Sequence, residues 1–262
     1  MSEPNPVTVQ TDARGVATVT LDNAAKLNTL NRAVMTALID AVDRLARDPA
    51  LRAVVLRSAG DRAFIGGADI TAMATLDIAT ARAFITLVHQ SCDVFRRLPV
   101  PAIARIQGWT LGAGLEVAAA CDIRIAGNAA RFGMPEVRVG IPSVVEAALL
   151  PGLIGWGRTR RLLLTGETID AATALAWGLV EEVVPPEALD AAVEHVLAGI
   201  LESGPRAVRR QKALIADWES MAVGAAIQHG IDCFVDAWDS DEPRRMMAAF
   251  VNRQRTQKTS PA

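Results

Sequence analysis

The sequence predicts an α/β core followed by an all-helical C-terminal region. Two observations carry that reading. Through the first half of the chain, short β-branched and aliphatic runs alternate with longer segments whose apolar residues recur at helical spacing. From about residue 187 the strand-like runs stop, and four helical segments follow one another. At 262 residues the chain suits one large domain, or one domain with an extension. A chain of this length buries roughly 70–75% of its unfolded surface and needs no staples.

Taken in order, VTVQ (7–10), a turn over 12–15 and VATVTL (16–21) predict a β-hairpin. Residues 30–48 carry the helical period, with Asn28, Thr29 and Asn31 as candidate caps. RAVVLRS (52–58) predicts a strand, and DRAFIGGADI (61–70) a glycine-bearing loop. Residues 79–98 predict a helix that the prolines of LPVP bring to an end. AIARI (102–106) predicts a strand, followed by a glycine-rich turn, a short buried helix, and a further strand over DIRIA (122–126). Segments beginning near 187, 205, 220 and 241 then predict the helical region. The expected division is a core over residues 1–190 and a helical region over 191–262. Helices with apolar faces and no core of their own must pack on the same chain or on another subunit.

Composition removes several classes of function. Net charge is −2 and no block of like charge exists, so no basic footprint for nucleic acid or a membrane surface is expected. No apolar stretch approaches the ~20 residues a membrane span needs. Cys92, Cys121 and Cys233 are scattered in apolar contexts and read as core residues of a reducing compartment. The start lacks a basic segment followed by an apolar one, so a soluble, cytoplasmic protein is expected. His89, His195 and His229 are far apart and form no ligand set with a Cys or Asp, which speaks against a metal site. Each reads as a surface or partly buried histidine. GAGLEV puts Val117 where a dinucleotide fingerprint wants its third glycine. Neither GxxxxGK[ST] nor GxSxG occurs.

What remains is a pattern of glycines and carboxylates. Gly112-Ala-Gly-Leu-Glu116 places a glycine turn at a predicted helix start, where unpaired N–H groups and partial positive charge favour an oxyanion. Glu116 opens an apolar run, and glutamate is rarely left buried and charged without a partner. A second carboxylate, Glu136, lies in RFGMPEVRVGIP (131–142). By itself it reads as a solvated loop residue. Two glutamates held at one glycine-lined site would instead suit acid–base work, because burial and mutual repulsion move their proton affinities toward neutrality.

Five segments in order make the chain resemble the crotonase, or enoyl-CoA hydratase/isomerase, superfamily from about Val7 to Arg255. They are KLNTL (26–30), FIGGADI (64–70), GWTLGAGLEVAAACDIRIA (108–126), FGMPEVRVG (132–140) and LLLTGETIDAATALAWGLVEEVVP (162–185). The resemblance implies a spiral of ββα units with a C-terminal helical trimerisation region, and a homotrimer or homohexamer. It implies an acyl-CoA thioester as substrate and no cofactor, coenzyme A being part of that substrate. It assigns an oxyanion hole to the N–H groups of Ala68 and Ala113, and catalysis to Glu116 and Glu136. Retention of both glutamates points to hydration of a 2-enoyl-CoA. Isomerisation, another thioester-enolate reaction, or a non-catalytic acyl-CoA-binding relative are the alternatives. Coenzyme A is expected over Lys26, Leu27 and the Ala68, Asp69, Ile70, Thr71 stretch, with Arg253 or Arg255 near its phosphates. The chain departs from the pattern at IPSVVEA (141–147), where a glycine pair is usual. Pro142 is kept. Val144, Val145 and Glu146 would press bulk against the acyl side, and two readings stand open: a helix start that leaves the chemistry alone, or a reshaped pocket in which Glu146 reads a polar or branched acyl group.

Overall fold

The computed structural model describes residues 5–259, with side chains through Asn252. The hairpin forms from β1 (Val7–Thr11) and β2 (Val16–Leu21), paired antiparallel. Helix α1 (Arg32–Ala46) takes Asn31 as its cap, whose side chain accepts the Val34 N–H. β3 (Ala53–Ser58) follows, and then β4 (Ala63–Ile65), a three-residue strand inside the stretch expected to be loop. The short α2 (Ile70–Met73) and the long α3 (Ile78–Arg96) complete the first unit of the spiral. The same order recurs as β5 (Ala102–Ile106), β6 (Trp109–Leu111) and α4 (Ala113–Ala120). It recurs again as β7 (Ile123–Gly127), β8 (Arg131–Gly133) and α5 (Leu150–Thr165). β9 (Thr168–Asp170), α6 (Ala171–Trp177) and β10 (Glu182–Val184) close it.

Each turn contributes one strand to each of two sheets. The larger has the order β1-β2-β3-β5-β7-β10 and is parallel apart from the β1–β2 pair. The smaller has the order β4-β6-β8-β9, with β9 antiparallel. Parallel strands covered on both faces read as continuous apolar runs, and every residue of AIARI in β5 is buried. The cations in these strands are paired. Arg105 meets Asp190, and Arg124 meets Glu181 while donating to the Leu179 and Cys121 carbonyls at 2.9 and 2.7 Å.

Helix α4 is buried at every residue. Gly114 lets it approach β4 closely, because a Cβ there would strike the carbonyl of Ile65.

Two compact units divide between Leu197 and Ala198, within α7 (Leu189–Glu202). The second holds α8 (Pro205–Trp218), α9 (Val223–Asp236) and α10 (Glu242–Thr259). α8 has no side-chain cap from Gly204, and Glu242 supplies one by accepting the Arg206 and Ala207 N–H groups at 3.1 and 2.8 Å. On α9, Ile227, Ile231, Phe234 and Val235 are exposed at helical spacing. No helix among the described residues is long and apolar enough to cross a membrane.

Candidate active site

A cavity of about 660 Å³ lies within the first unit. One wall is α3, which turns Phe84, Ile85 and Val88 toward it. Opposite run Pro135, Glu136, Val139, Ile141, Pro142 and Val144. Between them stand two glycine-bearing turns, Gly66–Ala68 and Leu111–Ala113, and the side chain of Glu116.

Backbone supplies the donors. Gly66 N–H and Asp69 N–H are used by the Leu27 and Leu30 carbonyls, while Leu30 N–H takes the Gly67 carbonyl. Ala68 N–H is left without an acceptor among the described residues. Gly112 N–H goes to the Gly133 carbonyl, and Leu115 and Glu116 N–H return to the Gly112 carbonyl. Ala113 N–H, at the first position of α4, is likewise left over. Both alanines line the cavity.

The carboxyls sit in unlike environments. Glu116 is 4% exposed on α4. Burial pushes its carboxyl up to about 8, the charges of Glu136 and Glu146 push the same way, and a hydrogen bond from the Ala147 N–H pulls back. Glu136 is half-buried on a 3-10 turn (Pro135–Val139), and its Oε2 accepts the Ser143 hydroxyl at 2.7 Å. Its Oε1 rests against Gly112, at φ +50°, where a Cβ would fall on that oxygen. The glycine therefore serves the turn and the placement of Glu136 together.

Of the other residues expected at the site, Ala68, Ile70 and Pro142 line the cavity. Lys26, Leu27, Asp69 and Thr71 do not. Leu27 lies behind the first glycine turn and accepts the Gly66 N–H, and Asp69 caps α2 by accepting from Thr71 and Ala72. The side chains of Arg253 and Arg255 lie outside the described residues.

Glu146 requires a correction. The reshaped-pocket reading has it meet the acyl group, but it does not line the cavity. It is 6% exposed on a 3-10 turn (Val145–Leu149), and its Oε1 lies 2.7 Å from Nδ1 of His89. The histidines also need one. His89 is paired with this glutamate, and Nε2 of His229 lies 2.9 Å from Asp217 Oδ2 and 3.8 Å from Cys233 Sγ. Neither partnership was read from the sequence, although Cys233 stands one helical turn from His229. No group of three or more metal-ligand side chains occurs among the described residues. Ser143 and the cavity face of α3 were also missed.

The model of the family described as "Enoyl-CoA hydratase/isomerase" matches residues 11–260. The chain is 33% identical to a crotonyl-CoA hydratase of Syntrophomonas wolfei, over 92% of this chain and 93% of that one. It is 33% identical to a short-chain-enoyl-CoA hydratase of Clostridium acetobutylicum, over 97% of each. The crystal structure of an enoyl-CoA hydratase from Bacillus anthracis superposes with a TM-score of 0.91 at 29% identity, covering 95% of this chain and 96% of that one.

Proposed function

The chain belongs to the enoyl-CoA hydratase/isomerase family, with its crotonase-type fold, and on that premise we propose that it is an enoyl-CoA hydratase, a carbon–oxygen lyase. The reaction is reversible addition of water across the C2=C3 bond of a 2-enoyl-CoA thioester, giving a 3-hydroxyacyl-CoA. One observation carries the reading: two carboxyls and two uncommitted N–H groups meet in one otherwise largely apolar cavity.

In this mechanism the Ala68 and Ala113 N–H groups receive the thioester carbonyl oxygen. That draws electron density from C3 and stabilises the enolate that forms on attack. For hydration the pair starts with Glu116 ionised and one proton on Glu136, and ends with these states exchanged: Glu116 takes a proton from water as the water oxygen bonds C3. The C2=C3 electron pair moves onto the carbonyl oxygen, then returns to C2 as Glu136 delivers a proton there. Dehydration runs these steps backward. It starts with Glu116 protonated, the state that burial favours at neutral pH. Alanine at position 113 keeps the N–H and adds only a methyl.

The acyl group runs along α3, whose Phe84, Ile85 and Val88 offer it an apolar surface. The substrate is therefore an apolar enoyl thioester, and no cofactor is required. The exposed stripe on α9 supports a homotrimer or homohexamer.

Loss of the conjugated thioester absorbance on mixing with 2-enoyl-CoAs tests the reading. Hydration gives a 3-hydroxyacyl product. Double-bond migration in a 3-enoyl-CoA without hydration would replace it with an isomerase. Light scattering that finds a stable monomer at micromolar concentration would remove the assembly.

A further inference from the structure

The cavity accounts for Glu116 and Glu136 but not for Glu146. A glutamate 6% exposed is costly, and its Oε2 is buried with no hydrogen-bond partner among the described residues. The backbone that carries it is also strained. Val145 sits at φ +41°, in the left-handed region that a β-branched residue adopts rarely. Strain of this kind persists where the surrounding structure over-determines it.

Val145–Leu149 packs against both α3 and α4. The Ala147 N–H bonds the Val144 carbonyl at 2.9 Å and also lies near enough to the Glu116 carboxyl to favour its charged form, while the neighbouring Glu146 carboxyl repels it. From α3, His89 bonds Glu146 Oε1 at 2.7 Å, with its own side chain 49% exposed. Cys92, three residues further along the same helix, also faces Glu146. Burial holds its thiol well above the ordinary value, and Glu146 and then Glu116 add to that. Glu136 faces Glu116 from the cavity side, and Cys121 faces Cys92 from the end of α4. His89 is thus the basic group bonded to Glu146, and it is reached from solvent rather than from the cavity.

We propose that His89 and Glu146 form a positioning pair for Glu116, holding a carboxylate behind the active-site carboxyl so that charge at Glu116 is governed from outside the substrate cavity. The inference rests on the reading of Glu116 as an acid–base group. Neither partner touches substrate. His89 pins Glu146, and Glu146 acts on Glu116 through its charge and through the Ala147 N–H beside it.

The test is the pH profile of kcat/KM for hydration of a 2-enoyl-CoA. Glu146→Gln removes a like charge near Glu116. The acid limb should move down by about one pH unit, with KM little changed because residue 146 lies off the cavity. His89→Ala should displace the acid limb in the wild-type background and leave it in place in the Glu146→Gln background. A merely structural role would lower kcat at every pH without moving the limb, and thermal melting reports any folding defect separately. An unmoved limb in Glu146→Gln, or the same displacement by His89→Ala in both backgrounds, overturns the inference. If Glu116→Gln keeps near wild-type turnover, the hydratase mechanism fails instead, so the two failures are distinguishable.

Discussion

The two sides of the cavity are lined by different parts of the chain. At Gly66–Ala68 and Leu111–Ala113 the working groups on the proposed reading are backbone N–H, set by turns that leave Ala68 and Ala113 without acceptors among the described residues. Pro135, Glu136, Val139, Ile141, Pro142 and Val144 line another part of the site with side chains, and the backbone around them bends to suit. There a valine occupies a left-handed conformation, and Ser143 steadies Glu136. The backbone side is fixed by sterics. A Cβ at Gly112 would fall on Glu136 Oε1, and one at Gly114 on the Ile65 carbonyl. The side-chain side can change its residues while keeping its carboxyls, and it is here that this chain departs from the usual glycine pair. A binding group made of backbone constrains the sequence nearby, whereas one made of side chains leaves its neighbours free.

The largest expected effect tests whether the two carboxyls, one on α4 and one on the side-chain wall, carry the chemistry. Glu116→Gln and Glu136→Gln should each cut turnover by ~10²–10⁴-fold in steady-state assays, with substrate affinity much less affected. Near wild-type turnover in both would leave the N–H groups alone as the working parts. Next comes Gly112→Ala, where the two sides touch. The added methyl falls on Glu136 Oε1 at a residue with φ +50°. Displacing that carboxylate should lower kcat by about 10²-fold while the chain still folds. Equal kcat in wild type and variant would show that Glu136 has room to move.

A third effect is on stability. Folded Glu116 holds its proton up to about pH 8, against ~4.3 for an unfolded glutamate. Between those values the folded state binds more protons than the unfolded one, so stability falls as pH rises. Gln does not titrate. Glu116→Gln should therefore gain on the wild type across this window, by a few kcal/mol at pH 8 and little at pH 4, read from urea midpoints. A gain independent of pH would mean that this carboxyl is not lifted in the folded state. The smallest effect belongs to Val145→Gly. Relief of a positive φ is offset by lost packing and a freer unfolded chain, so stability should change by less than about 1 kcal/mol. A loss of several kcal/mol would show the valine to be held by packing and the wall to be as rigid as the glycine side.

Much of the architecture was legible because local signals and tertiary structure agree. The strand over Ala102–Ile106 matches its sequence bounds to the residue, and a helix starts at Pro205 where a helical segment was expected to begin. β4 was not legible. A three-residue strand between turns carries too few side chains to show a period, and its pairing with β6 is a long-range property. Within the site, the glycine turns and both glutamates stood out as motifs, with their roles supplied by resemblance. The His89–Glu146 contact spans 57 positions, and nothing local announces it. The wall formed by Phe84, Ile85 and Val88 was hidden for another reason. An apolar helix face looks the same in sequence whether it meets core or ligand.

The mostly apolar lining also settles where solvent can be held. Of the lining residues, only Arg82, Glu116 and Glu136 carry ionisable side chains, and a water molecule needs two to four polar partners to stay. The places such partners converge are beside the two carboxyls and at the N–H pair, and the N–H pair is taken once a thioester carbonyl arrives. On the proposed reading, the cavity loaded with substrate works as a solvent filter. It retains a nucleophile for carbon 3 and leaves few others near the thioester carbon, where attack would release free coenzyme A and waste the activated acyl group.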